Sequence, residues 1–394
     1  MRDSIRPAVH ALTAAAIAMR RDLHAHPELS TQETRTQGII IERLTELGLE
    51  DVRAIADTGV TALIRGVRPG ANVLWRADID ALPLAEDTGL PFAAAAATGA
   101  MHACGHDGHV AIGLAVAEAL QSERGSLAGT VRFAFQPAEE HVGGAKRMVE
   151  SGIMREPTVD RVFGLHIWAP LETGDIAVMP GAIFAAATHF RIIICGRGGH
   201  ASAPHQTVDP IVVAAHAIVA LQTIVSRAVD PEGTAVLTVG RIVGGVRGNI
   251  IPSEVMMSGS IRTFEPAVLS LILRRVHEVL GGVTSAWGAE YQFDHSTLPA
   301  TVNDAAAAAL VAASATAMLG AEHVVERRTT GSEDMCHFLD AAPGAYFMLG
   351  GGNRARGISA PHHSPKFDFD EGCLPIGIEL ALRIIEAATE TAPA

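Results

Sequence analysis

Apolar positions follow two rhythms along this chain. Three- and four-residue spacing predicts a helix over residues 8–25, ended by Pro27, which disfavours helical geometry at His26. A second helix should run to Leu47, capped by Ser30 or Thr31 and closed by Gly48. Short apolar runs, Val60 to Arg65, Asn72 to Asp80, Thr130 to Phe135 and Arg161 to Leu165, read as buried strands, and Val110 to Leu120 reads as a helix among them. Such alternation predicts an α/β fold with a mostly parallel central sheet, whose site lies beyond the carboxyl ends of the strands.

From about Ile183 the texture changes. Strands at Thr188–Cys195, Thr234–Val243 and Gly259–Phe264, with helices at about Pro210–Ala228 and Ala267–Leu280, make a βαββαβ-like pattern ending near Leu298. That is an inserted α+β, ferredoxin-like domain. The first texture then returns in a helix, Ala305–Leu319, a strand, Ala345–Leu349, and a last helix at about Leu374–Ala387. The expected organisation is therefore residues 1–182 and 299–394 as one catalytic domain, interrupted by residues 183–298.

Composition agrees. A chain of 394 residues that is 48% hydrophobic can fill two cores. A net charge of -13 without a basic run argues against nucleic acid or an anionic membrane as partner. Four widely spaced cysteines, Cys104, Cys195, Cys336 and Cys373, form no secreted disulfide framework, and Arg2, Asp3 and Arg6 precede a broken apolar stretch unlike a signal peptide. Cytoplasmic residence is the expectation.

Chemistry concentrates where the first-texture strands end. Met101-His102-Ala103-Cys104-Gly105-His106-Asp107-Gly108-His109 places Cys104 and His106 two residues apart, on one side of an extended segment, with glycines that let the backbone bend around an ion. Asp78 and Asp80 close a strand, either as turn residues before Pro83 or as acids orienting a ligand histidine, Asp78 being the better placed. After Thr130–Phe135 come Glu139 and Glu140; in extended backbone they would point to opposite sides, one to a metal and one to substrate. His166 follows the next strand, and His363 could close a metal shell from the far end of the chain. His24 and His26 read as structural or substrate-side residues, and His102 and His109 as supports for the loop and helix start. His200, in the glycine-rich loop Gly196 to Pro204, is either a loop cap or a functional residue. No histidine–carboxylate dyad is dedicated to Cys104, which makes it a ligand type and not a nucleophile.

These segments, together with Arg21 to Leu29, Arg76 to Pro83, Gln136 to Glu140, Gly248-Asn249-Ile250-Ile251-Pro252, Gly331 to Asp334 and His363-Ser364-Pro365, resemble in order the M20 metallopeptidase and aminoacylase family. The likeness is to its hippurate hydrolase or indole-acetyl-amino-acid hydrolase branch. It implies two divalent metals, manganese or zinc with cobalt and nickel as further candidates, held by Cys104, His106, Glu140, His166 and His363. It also implies Glu139 as general base, His200 as oxyanion stabiliser reaching a neighbouring subunit, and Asn249 and Arg262 on the substrate carboxylate. The implied reaction is hydrolysis of N-acyl-amino acids by a homodimer or dimer-based tetramer with the inserted domain as lid. A dipeptidase or carboxypeptidase on the same scaffold is the alternative, and a non-catalytic metal-binding dimer is disfavoured by Glu139. His141, where relatives often have a small residue, leaves the substrate open.

Overall fold

The computed structural model describes residues 5–141 and 143–390; Arg2 and Asp3, used above in reading the N-terminus, lie outside them. The chain divides into two compact units. The first comprises residues up to Ile183, Thr301–Arg328 and Glu333 onward, and the second Phe184–Ala300 with Thr329–Ser332.

The first unit is built on an eight-stranded sheet. Its spatial order is Glu50–Ile55, Gly59–Arg65, Ala128–Gln136, Arg68–Asp78, Arg161–Glu172, Gly344–Gly352, Ile176–Ala177 and Val324–Val325. The four middle strands run parallel to one another, and antiparallel pairs flank them. These strands are apolar at nearly every position because both faces are covered. The helices His106–Ser122 and Cys373–Glu390 pack over one face, with Val110, Ile112, Phe133, Phe135, Phe347 and Ile384 in the core.

Several local expectations need correction. The strand carrying His166 does not stop at Leu165 but runs through Glu172, because Gly344–Gly352 pairs along its whole length. The second helix begins at Thr34, and neither Ser30 nor Thr31 caps it. Glu28 satisfies its first turn instead, its carboxylate accepting from the backbone N–H of Arg35 and Thr36 at 2.9 and 2.8 Å. Cys104 and His106 do not share an extended segment. His106 opens the helix, after Gly105 at φ 88°, and this left-handed turn brings the two side chains together. Gly108 is equally constrained: a Cβ there would lie 2.5 Å from Ile167 Cδ1, so the helix start presses directly on the strand bearing His166.

The second unit is a four-stranded antiparallel sheet in the order Ala235–Gly244, Glu254–Thr263, Ala186–Cys195, Glu290–Leu298. Phe190, Ile192 and Ile194 alternate inward, against helices Pro210–Ala228 and Pro266–Trp287, while His189 and Arg191 face out. Helix Pro210–Ala228 is the one helix among the described residues long and apolar enough to cross a membrane, but Val213, Ala217, Leu221 and Ile224 are used to pack this sheet.

Candidate metal centre and active site

Three parallel strands deliver the site. Asp78 ends one and stands opposite Gln136, the end of its neighbour, and His166 lies on a third, paired with Met348 of the strand beyond. Around these positions Cys104, His106 and His166 form one set whose ligand-type atoms all lie within 4.8 Å of one another. Cys104, Glu140 and His363 form a second such set, and His106, Glu139 and Glu140 a third. Shared members join the sets into one cluster that holds Cys104, His106, Glu139, Glu140, His166 and His363. Cys104 Sγ lies 3.4 Å from His166 Nε2, and His363 Nε2 lies 3.4 Å from Glu140 Oε1.

The histidines are oriented from behind. His106 Nδ1 is bonded to the Asp80 carbonyl at 2.9 Å, so its Nε2 is turned inward, buried and without a hydrogen-bond partner. His166 Nδ1 is bonded to the Ile167 carbonyl at 2.7 Å, which likewise directs Nε2 to the centre. His363 sits at φ 61°, a costly conformation for a residue with a Cβ, fixed by its N–H to the Ala103 carbonyl at 2.9 Å.

Asp80, ranked behind Asp78 from sequence, makes the larger contribution. Its Oδ1 accepts from the backbone N–H of Glu139 at 3.1 Å, and Oδ2 accepts from that of Glu140 at 3.0 Å and from Ser30 Oγ at 2.6 Å. With its carbonyl on His106, one residue positions three others. The pair Glu139–Glu140 is not extended as expected: Ala138 at φ 50° turns the chain, and both carboxylates reach the same cluster.

Asp78 acts through His109. The Ile167 N–H donates to His109 Nε2 at 2.8 Å, so Nδ1 carries the proton toward Asp78 Oδ1 at 2.5 Å. Both ring nitrogens are thus used, which removes His109 as a ligand although it lies near Asp78 and His106. Asp78 is in turn held by Arg76 at 2.6 Å, whose guanidinium also meets Glu333 at 2.8 Å, Asp334 at 3.4 Å and Tyr346 Oη at 2.9 Å. Periodicity contains no signal for that network, since Glu333 and Asp334 lie more than 250 residues away; both segments stand among the motifs of the resemblance, but their pairing does not. His24 is fully buried between Asp107 at 2.8 Å and Glu86 at 3.2 Å, a structural place, and His26 is exposed. His102 is buried with neither ring nitrogen bonded. His141 is exposed.

The electrostatics call for a cation. Burial, with Glu140 and Glu139 adding to it, pushes the Cys104 thiol well above its ordinary range. Burial should depress His106, yet the carboxylates of Asp78 and Asp80 outweigh it and raise it to about 10, a sign of how strongly this cluster favours a positive charge. Burial, reinforced by His109 and His362, holds His166 well below the usual histidine value, in the neutral form that ligates. Burial followed by Glu333 and Glu140 pushes Glu139 well above the carboxylate range. A sulfur, three imidazoles and a carboxylate, with inward-facing His106 Nε2 unsatisfied, fit divalent metal ions, which would reverse the thiol's penalty and displace the His106 proton.

His200, Asn249 and Arg262 all belong to the second unit. His200 is exposed on a short ribbon, opposite Ile250, and its Nδ1 is engaged by Ser202 N–H at 3.1 Å and Ser202 Oγ at 2.7 Å. The Asn249 carbonyl accepts from Ala201 N–H at 3.2 Å, tying the two segments together. Arg262 is half-buried, its Nη1 without a hydrogen-bond partner, and burial lowers its proton affinity.

Fold and donor set define a hydrolase with a metal-binding centre. The sequence pattern of Peptidase family M20/M25/M40 matches residues 74–387, and the chain belongs to that family. It is 39% identical over 378 residues to the N-acetylcysteine deacetylase of Bacillus subtilis, covering 94% of this chain and 97% of that protein. It is 38% identical to thermostable carboxypeptidase 1 of Saccharolobus solfataricus, covering 92% of each chain. The crystal structure of the YXEP protein of Bacillus subtilis, described as a dinuclear metal binding peptidase of the M20 family, superposes with a TM-score of 0.84 at 33% identity, covering 96% of this chain and 98% of that one.

Proposed function

We propose that this chain is a metal-dependent amidohydrolase that splits N-acyl-amino acids, hippurate-like or N-acetylated, into a carboxylic acid and a free amino acid. The observation that carries this reading is the convergence of Cys104, His106, Glu140, His166 and His363 on one centre, buried on the side of Cys104, His106 and His166, with a further carboxylate, Glu139, beside them. Those five residues would hold two divalent ions, manganese or zinc foremost. When bound, such ions supply Lewis acidity at the amide carbonyl and lower the proton affinity of water.

Glu139, with its backbone anchored by Asp80, takes the proton of the attacking water and passes it to the departing amine nitrogen. His200, with Nδ1 occupied by Ser202, offers Nε2 to the carbonyl oxygen as it gains charge. Arg262 and Asn249 hold the substrate carboxylate, Arg262 Nη1 being an unused buried donor.

The inserted unit serves as lid and as the contact with a second copy, giving a homodimer or dimer-based tetramer. Strand Ala235–Gly244 is the open edge of its sheet and exposes Ile242 and Val243, and the neighbouring helix exposes Ile211, Val212 and Val219. An apolar edge of this kind is covered by a partner in a protein that stays dispersed. We place the enzyme in the cytoplasm, where its four cysteines, none in a disulfide, persist as thiols.

Turnover on a panel of N-acetyl- and N-benzoyl-amino acids after loading with manganese, zinc, cobalt or nickel tests the reading, and no hydrolysis with any ion would sink it. A carboxypeptidase activity is the second reading, favoured by the likeness to the Saccharolobus solfataricus carboxypeptidase. Faster cleavage of unblocked dipeptides than of acylated amino acids would select it.

A further inference from the structure

Among the described residues three arginines are buried, and two are fully matched by carboxylates. Arg20 meets Asp107 at 3.0 Å, Asp368 at 2.7 Å and Glu371 at 3.1 Å. Arg76 has Asp78, Glu333 and Asp334. The third, Arg132, is 2% exposed in the middle of strand Ala128–Gln136 and has one carboxylate in reach, Asp51 at 3.4 Å. That carboxylate is 37% exposed and already paired with Arg53 at 3.0 Å. The remaining Arg132 donors go to neutral oxygens: Nη1 to Thr61 Oγ1 at 3.2 Å, and Nη2 to the carbonyls of Arg155 at 3.4 Å and Glu156 at 2.9 Å. Its Nε is buried with no partner.

A buried charge costs several kcal/mol unless a counter-charge and hydrogen bonds offset it. Arg20 and Arg76 satisfy that condition and are held above the ordinary arginine value despite burial. Arg132 does not: burial lowers it, and Asp51 fails to restore it. Beside this guanidinium opens a cavity of about 360 Å³, lined also by Arg53, Arg155, Asp51, Glu156 and Ser151. Arg155 makes no ion pair with any described residue, so three guanidinium groups face two carboxylates in a protein whose net charge is -13.

We infer that this cavity binds a small oxyanion, a phosphate or carboxylate group, whose oxygens supply the counter-charge that Arg132 lacks. Guanidinium forks from Arg53 and Arg155 each offer paired donors to two oxygens of such a group. The site is distinct from the metal centre. Arg132 lies four residues before Gln136, roughly 13 Å along an extended strand. An occupant there acts on the strand that leads into Glu139 without touching the ligand set.

The test is isothermal titration of the metal-loaded enzyme with inorganic phosphate, and separately with acetate, in a chloride buffer of fixed low ionic strength. The comparison protein is the double variant Arg53→Ala/Arg155→Ala, which changes surface residues outside the catalytic machinery and should keep wild-type turnover. Phosphate binding at the metals is common to both proteins, so the signal is the difference between them. Wild type should bind one further equivalent and gain thermal stability, and the double variant should bind it roughly tenfold more weakly or not at all. A response to phosphate alone identifies a phosphate site, and a response to both anions a general oxyanion site. Superimposable titrations of the two proteins, or a stability gain matched by added chloride, would leave an adventitious ion only and overturn the assignment.

Discussion

Cys104, His106 and His166 are buried, and each histidine is bonded at the nitrogen turned away from the centre; His200 is exposed on a short ribbon, and Asn249 is exposed in the turn beside it. One region ties its side chains to buried partners, and the other holds His200 by Ser202 and a two-residue ribbon at the surface. Metal ligation tolerates errors of a few tenths of an ångström, whereas recognition of varied acyl and amino-acid groups gains from adjustable contacts. On the proposed reading, rigidity would lie where charge is concentrated and freedom where substrates differ.

The largest expected effect separates chemistry from construction in the rigid region. Glu139→Gln should lower kcat on the order of 10²–10⁴-fold while elemental analysis finds metal content unchanged. Wild-type turnover in that variant would remove Glu139 from its role. Cys104→Ala should reduce bound metal per subunit and make the remainder easier to strip with a chelator; unchanged stoichiometry and chelator resistance would show that the thiol is not a ligand. Asp80→Asn should cost about 10–100-fold in activity or metal affinity, since it keeps the carbonyl on His106 but replaces the acceptor that holds two backbone N–H groups. An effect no larger than that of an exposed Asp→Asn change elsewhere would show that the carboxylate does not position them.

The smallest effect is one of stability and concerns the support behind the rigid region. Burial lowers the proton affinity of His24, but its bonds to Asp107 and Glu86 overcome this and raise its pKa to about 9. An unfolded histidine loses its proton near 6.5. The contribution is therefore complete below pH 6.5 and is lost as pH rises through about 9, on the order of 3 kcal/mol in all. Denaturant melts across that range should show the decline in wild type and a flatter profile in His24→Asn. A decline of equal size in both would place its cause elsewhere. For the adjustable region, mixing His200→Ala with Glu139→Gln subunits should restore part of the activity if His200 serves a neighbouring copy, and no rescue despite proven subunit exchange would confine the site to one chain.

Strand and helix positions were legible because burial on both faces writes continuous apolar runs, and the ligand types stood out against them at Cys104, His106, Glu140 and His166. What escaped were directions and distant partners. Alternation predicts extended geometry at Cys104–His106 and Glu139–Glu140, where positive φ at Gly105 and Ala138 turns the chain instead. The exchange of priority between Asp78 and Asp80 came from the same source, because alternation tells which face a side chain takes but not which backbone groups await it there. Arg76 gathers its counter-charges from Glu333 and Asp334, a pairing that no local pattern encodes.

The placement of strand Gly344–Gly352 between Arg161–Glu172 and Ile176–Ala177 carries a consequence for how the protein is made. During synthesis the edge of Arg161–Glu172 waits for a neighbour encoded 172 residues later, with the whole inserted unit emerging in between. At about 5–20 residues per second that interval is roughly 10–30 s, during which an apolar strand edge is uncovered and His363 does not yet exist. Until Gly344–Gly352 emerges that edge stays open, and on the proposed reading a chain without His363 would also lack one of its metal ligands.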